Sequence, residues 1–224
     1  MSMLSNLELI RRVPLFALLT SAQAESVADA VVKRRFKRGE VVIEQGDKSN
    51  TLFIILTGRA RVITADKRGR EVILATLQPG DYIGEMSLID NLAHSATVRA
   101  EVQTDMLALG RAEFARCLPE NSSMAYAIMK GLVQRLRQAD RKIESLALMD
   151  VYGRVARALL EFAQPDREGQ PTIRERISRQ DIAKMVGASR EMVSRVMKDL
   201  EDRGFIETRE DGSMLIKEHL GTLG

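Results

Sequence analysis

The chain has 224 residues, 45% hydrophobic and 29% charged, the balance of a folded protein with room for one large domain or two smaller ones. Its one cysteine, Cys117, excludes an intramolecular disulfide framework and falls short of a structural zinc or iron–sulfur site; two histidines, His94 and His219, are too few for a histidine-rich metal centre. The net charge of +3 is slight, so affinity for nucleic acid has to come from local clustering.

The opening MSMLSNLELIRRVPLF has no uninterrupted apolar stretch bounded by a cleavage site, and nowhere do about eighteen apolar residues run together. A cytoplasmic chain with no membrane partner is expected. From Leu7 to Val32 two helical patterns, LELIRRVPLFALL and SAQAESVADAVV, flank Thr20, which is placed to cap the second. The period then changes to short apolar runs, VVIE, LFIIL, ARVIT and EVILATL, punctuated by glycine turns at Gly39, Gly46, Gly58, Gly69 or Gly80. Such spacing predicts an antiparallel sandwich or roll, with Ala65 to Arg70 as a hairpin tip carrying solvated charges. Strand character resumes from Ala96 to Leu109 and gives way to a helical RAEFARCL.

A long helix is expected from Asn121 to Leu148. Within it Leu132, Leu136, Ala139, Ile143 and Leu146 step by four, three, four and three, the seam of a two-stranded coiled coil, which predicts a homodimer. Asp150 marks a hinge and caps the following VYGRVARALLEFA, which ends in the polar loop QPDREGQPT.

The segment SRQDIAKMVGASREMVSRVMKDL, Ser178 to Leu200, has the layout of a helix-turn-helix. Ser178 caps a helix from Arg179 to Val186 with Ile182, Ala183 and Val186 on one face, and Gly187 breaks it. Ser189 caps a second helix whose Met192, Val193, Val196, Met197 and Leu200 are expected to be buried. In such a unit the second helix enters the major groove with its N-terminal residues on base edges, here Arg190, Glu191, Ser194 and Arg195. Arg190 and Arg195 each offer a planar fork to O6 and N7 of a guanine, and Glu191 an acceptor for a cytosine amino group. Between Arg174 and Lys198 seven basic residues face three acidic ones, which suits phosphate contacts; Arg179, Gln180, Ser189 and Lys198 complete the expected DNA-binding set. Gly204 then introduces FIETREDGSMLIKE, two short strands about a DG turn, as in a winged form of the motif.

A second informative stretch is GDYIGEMSLIDNLAHSATVRA, Gly80 to Ala100. Gly84 permits close backbone approach, Glu85 to Ile89 can open a helical turn, and His94, Ser95 and Thr97 supply side-chain donors, a set that suits a phosphate. Glu85 would then accept from a hydroxyl such as that of a ribose. Taken on its residues alone, the stretch reads first as a polar strand-to-helix corner, and only second as a ligand site.

With these segments in view, the chain resembles the family of the cyclic-AMP receptor protein and the fumarate and nitrate reduction regulator over nearly its whole length. The likeness lies in the Gly-Asp and LFIILTG segments, Gly84-Glu85 with Leu88, the Ser95-Ala96-Thr97 run, the long helix, LALMDVYGRVARALL, and the helix-turn-helix. It implies an α+β fold: an effector-sensing cyclic-nucleotide-binding β-roll (jelly roll) over residues 1–120, a dimerisation helix over 121–149 and a winged helix-turn-helix over 150–224. It implies that Arg190, Glu191 and Arg195 read a palindrome with TGTGA-like half-sites, and that the loop Ala163 to Gly169 touches RNA polymerase. Gly84, Glu85 and Ser95 match the family's ligand pattern, in a segment that includes Met86 and Ser87. His94 stands where cyclic-AMP binders carry an arginine that pairs with the cyclic phosphate, and Ala139 and Asp140 stand where hydroxyl residues meet the adenine. Three effector readings follow: a cyclic mononucleotide such as cyclic AMP, another nucleotide such as cyclic di-GMP, or no nucleotide. The expected function is DNA-binding regulation without catalysis. Its rivals are a metal-dependent enzyme on a cupin-type roll, which two distant histidines do not supply, and a nucleotide-dependent subunit acting on a protein partner.

Overall fold

The computed structural model describes residues 5–11, 13–17, 19–117, 122–209 and 211–217. His219, and Asn121 at the expected start of the long helix, lie outside them. The chain forms two compact units, residues 1–135 and 136–224. No described helix is long and apolar enough to cross a membrane.

In the first unit, α1 (Asn6–Ile10) opens on a capping box between Ser5 and Glu8. The single helical pattern expected from Leu7 onward stops there. Val13 precedes a proline and is extended, and Pro14, lacking an N–H, starts a separate 3₁₀ turn over Pro14–Phe16. Helix α2 (Ser21–Ala30) is capped by Thr20, as the sequence predicts, with Gln23 completing the box.

Two four-stranded antiparallel sheets follow. One is ordered β1 (Val32–Phe36), β8 (Thr104–Gly110), β3 (Thr51–Thr57), β6 (Tyr82–Ile83); the other β2 (Val41–Ile43), β7 (Thr97–Ala100), β4 (Ala60–Ala65), β5 (Glu71–Leu77). Side chains alternate along each strand, so Ile43, Ile55, Ala60, Ile83, Val98 and Met106, drawn from both sheets, form one core. The opposite face of the first sheet, with Leu52, Ile54, Leu107 and Leu109, is covered by α1, α2, Phe114 of α4 (Arg111–Cys117), and Met124 and Ile128 of α5 (Ser122–Leu148). Strand β1, VKRRF, does not show in the apolar pattern. It is an edge strand held by backbone pairing to β8 and by Arg35 Nε to Asp105 Oδ1 at 2.6 Å, with its charged side chains in solvent.

In the second unit, Asp150 caps α6 (Val151–Phe162), its carboxylate accepting from the Gly153 N–H at 2.8 Å. The expected polar loop QPDREGQPT is instead a hairpin, β9 (Gln164–Pro165) with β10 (Pro171–Ile173). Asp166 makes it one: its Oδ1 accepts from the N–H groups of Glu168 and Gln170, each at 2.9 Å, while Gly169 takes a positive φ. The wing strands β11 (Ile206–Thr208) and β12 (Met214–Ile216) join this hairpin in one sheet ordered β11-β12-β10-β9. Helices α7 (Arg179–Val186) and α8 (Arg190–Asp202) pack against α6, which also meets β10, and their Ile182, Val186, Val193, Met197 and Leu200 share a core with Val155 and Leu159.

Candidate effector corner and nucleic-acid interface

Strand β6 delivers the chain to Gly84, whose φ of 93° lies in the left-handed region; a Cβ there would collide with the Thr51 carbonyl oxygen. Helix α3 (Glu85–Asp90) starts at the next residue. Glu85, 1% exposed, is ion-paired with Arg135 of α5, which also donates to the Tyr82 carbonyl and lies 5.1 Å from the Tyr82 ring centroid. The Tyr82 hydroxyl donates to the Ile128 carbonyl at 3.1 Å, and Gly131 leaves the space that this hydroxyl occupies. Burial pushes the Glu85 carboxyl above its ordinary pKa, against the pull of the Arg135 charge. The sequence assigns Glu85 a ligand hydroxyl to accept from; one of its two oxygens, Oε1, already accepts from Arg135, a partner fifty positions away that no local pattern announces.

His94, 9% exposed, sits between two serines: Nδ1 is 2.9 Å from Ser87 Oγ and Nε2 is 2.8 Å from Ser49 Oγ. Burial lowers its pKa, and Asp47 works in the other direction. Beside it Arg111 ties the same two segments, donating from Nε to Asn50 Oδ1 at 2.9 Å and from Nη2 to the Ser87 carbonyl at 2.7 Å. Gly84, Glu85, Ser87 and His94 thus converge with Ser49, Asn50 and Arg111, three residues missed in the sequence because they come from a turn and a helix start remote from the Gly-Glu motif. Met86 and Ser95 are exposed at the rim. Thr97 is half-buried, its hydroxyl accepting from the Gln45 N–H at 3.0 Å. Ala139 and Asp140 are exposed positions of α5 in the second unit. Among the described residues no cluster of metal-ligating side chains occurs.

The helix-turn-helix follows the sequence expectation closely. Ser178 Oγ accepts from the Asp181 N–H at 3.0 Å and Ser189 Oγ from the Met192 N–H at 3.2 Å, so both serines are spent as caps; Gly187 turns the chain at φ 64°. Gln180, Arg190, Glu191, Arg195 and Lys198 are exposed, and Arg179 and Ser194 are half-buried. The helix-terminal N–H of Glu191 and the Ser189 hydroxyl hold the Glu191 carboxyl below its ordinary pKa, keeping it a charged acceptor. One expectation fails: Met192 is 39% exposed, its sulfur 3.8 Å from Arg195 Nη2, because Val193, Val196, Met197 and Leu200 already fill the buried stripe.

A β-roll joined to a winged helix-turn-helix is the architecture of a DNA-binding regulator. The family model of the cyclic nucleotide-binding domain matches residues 33–121, and that of the Crp-like helix-turn-helix domain residues 153–219. The cAMP-activated global transcriptional regulator Vfr of Pseudomonas aeruginosa is 37% identical over 183 residues, 79% of this chain and 86% of that protein. The cAMP-activated global transcriptional regulator CRP of Salmonella typhimurium is 35% identical over 77% of this chain and 83% of its own length. Among solved structures, the c-di-GMP responsive global regulator CLP of Xanthomonas campestris superposes with a TM-score of 0.76 at 26% identity, covering 88% of this chain and 98% of that one. The chain belongs to the CRP/FNR family: it is a DNA-binding transcription regulator carrying a cyclic nucleotide-binding domain.

Proposed function

We propose that the chain acts as a cytoplasmic homodimer that reads a palindrome with TGTGA-like half-sites and is controlled by a nucleotide second messenger held in the roll. The observation that carries the reading is the start of α8, where Arg190, Glu191 and Arg195 stand exposed on a helix whose opposite face is locked into the second unit's core. The dimer is supported by the apolar stripe along α5, with Leu136 63%, Ile143 64% and Leu146 58% exposed. Leu132, at the head of the same seam, packs on its own roll instead, so the proposed pairing runs from Leu136 onward. The exposed Arg167 and Glu168 at the tip of the β9–β10 hairpin are the proposed contact for RNA polymerase.

Two nucleotides compete for the effector role. Cyclic AMP is supported by the names of the Vfr and CRP relatives, and cyclic di-GMP by that of the CLP structure. One observation favours a second reading, a regulator of the same fold needing no nucleotide: Glu85 and His94 both find protein partners. Calorimetric titration of the purified chain with cyclic AMP, cyclic GMP and cyclic di-GMP separates the two. Saturable binding of any one supports the nucleotide reading, and no heat with all three supports the other. Sedimentation of the same sample tests the dimer.

A further inference from the structure

We propose that His94 is a proton-coupled anchor for a cyclic phosphodiester: the roll binds its nucleotide with uptake of one proton onto the imidazole. The inference rests on the reading of the roll as a nucleotide site and deepens it. The argument starts from the two serines. A neutral imidazole has one N–H and one bare nitrogen, so with Ser87 and Ser49 on its two nitrogens, one serine accepts from the ring and the other must donate to it. Only one serine hydroxyl hydrogen is then left for a ligand. When the ring gains a proton from solvent, both nitrogens donate, both serine oxygens accept, and both hydroxyl hydrogens are released toward an anion. The corner thereby gains a second donor and a positive charge in one step.

The surroundings make that step depend on a ligand. Ser87 is 3% exposed and His94 9%, so an imidazolium here without an anion is poorly solvated. Asp47 is the charge that acts on the ring; the segments that carry its serine partners also bear Lys48 on the turn before β3 and Glu85 and Asp90 on α3, and Arg111 at the head of α4 donates to the Ser87 carbonyl. Glu85 is engaged by Arg135, and Arg111 by Asn50, Asn91 and the Ser87 carbonyl. Burial outweighs Asp47 and holds the ring's pKa below its ordinary 6.5, so the free site is neutral at physiological pH. A bound phosphodiester monoanion raises that pKa. Affinity is then fully developed below the free-state value, falls by up to about tenfold per pH unit as pH rises from there to the bound-state value, and levels off above it.

The test is calorimetric titration of the full chain with cyclic AMP, cyclic GMP and cyclic di-GMP at about pH 6 and about pH 8, each in two buffers of different ionisation heat, chosen to bracket the imidazole. The expected result for the nucleotide that binds is tighter binding at the lower pH and a buffer-dependent heat corresponding to about one proton taken up. His94→Arg, which carries a permanent charge, is expected to bind with no proton uptake and little pH dependence; His94→Gln is expected to bind weakly at both pH values. Nucleotide binding in the unmodified chain with equal affinity and buffer-independent heat overturns the proton coupling and leaves the nucleotide reading standing. Failure of all three nucleotides to bind at either pH overturns both.

Discussion

Truncation of Arg195 separates base reading from mere attraction to DNA. The side chain is exposed, with the sulfur of the part-exposed Met192 at 3.8 Å and the exposed Glu191 carboxylate acting on it, so Arg195→Ala opens no cavity and should change stability by no more than about 0.5 kcal/mol. A bidentate guanidinium–guanine pair discriminates by about 1–3 kcal/mol. In the proposed dimer, two subunits reading two half-sites would double this, a loss of about 30-fold to more than about ten-thousand-fold in specific affinity if the sites add. A scrambled duplex should lose only the weaker phosphate attraction. Lys198→Ala is the contrast: its exposed ammonium points to phosphate binding, so the salt slope of log affinity should fall by about 1.8 for the dimer, with the specific-to-scrambled ratio kept. Fluorescence anisotropy with a palindromic TGTGA-type duplex and its scramble, across a salt series, reads both quantities. Equal losses of Arg195→Ala on the two duplexes would refute the placement of this residue on a base edge.

Three further outcomes are expected. Gly84→Ala combines a positive φ with a collision at the Thr51 carbonyl and should cost at least about 2 kcal/mol in calorimetric melting, whereas Gly39→Ala, also at positive φ but in open space, should cost about 1 kcal/mol. Ile143→Asp puts a charge on the exposed α5 stripe and should shift the sedimenting species from dimer to monomer with the circular dichroism unchanged; a variant that stays dimeric places the interface elsewhere. Asp166 is held below the ordinary carboxyl pKa by the Gln170 N–H first, then by Glu168, Thr172 and Arg209. Because its folded pKa is depressed, the stability it contributes is present above the unfolded carboxyl value and lost as pH falls through the folded one. Asp166→Asn should therefore melt lower at neutral pH and show a flatter acid limb; parallel curves for the two proteins contradict this.

Much of the architecture was legible because its local signals are self-contained. Thr20, Asp150, Ser178 and Ser189 each cap the helix that the sequence assigns to them, and the glycine-punctuated apolar runs became β2 to β5. What escaped depends on partners far along the chain. Strand β1 has no buried apolar period and is recruited by β8 some seventy positions later. The β9–β10 hairpin hides in a polar string because a carboxylate, not an apolar face, organises it. Gly84, Glu85 and His94 are legible as a polar corner in the sequence, but the side chains that hold those residues, Arg135, Arg111 and Ser49, become neighbours only through tertiary packing. Met192 lies outside the buried side of α8, because the apolar pattern there is one residue wider than the buried stripe.

The most direct check of effector-controlled DNA reading is the affinity of the unmodified chain for the palindromic duplex, measured at one salt concentration with and without a saturating nucleotide. Coupling between roll and recognition helix predicts a change of about 5- to 150-fold on the palindrome and little on the scramble. Identical affinities with cyclic AMP, with cyclic di-GMP and with neither would contradict it.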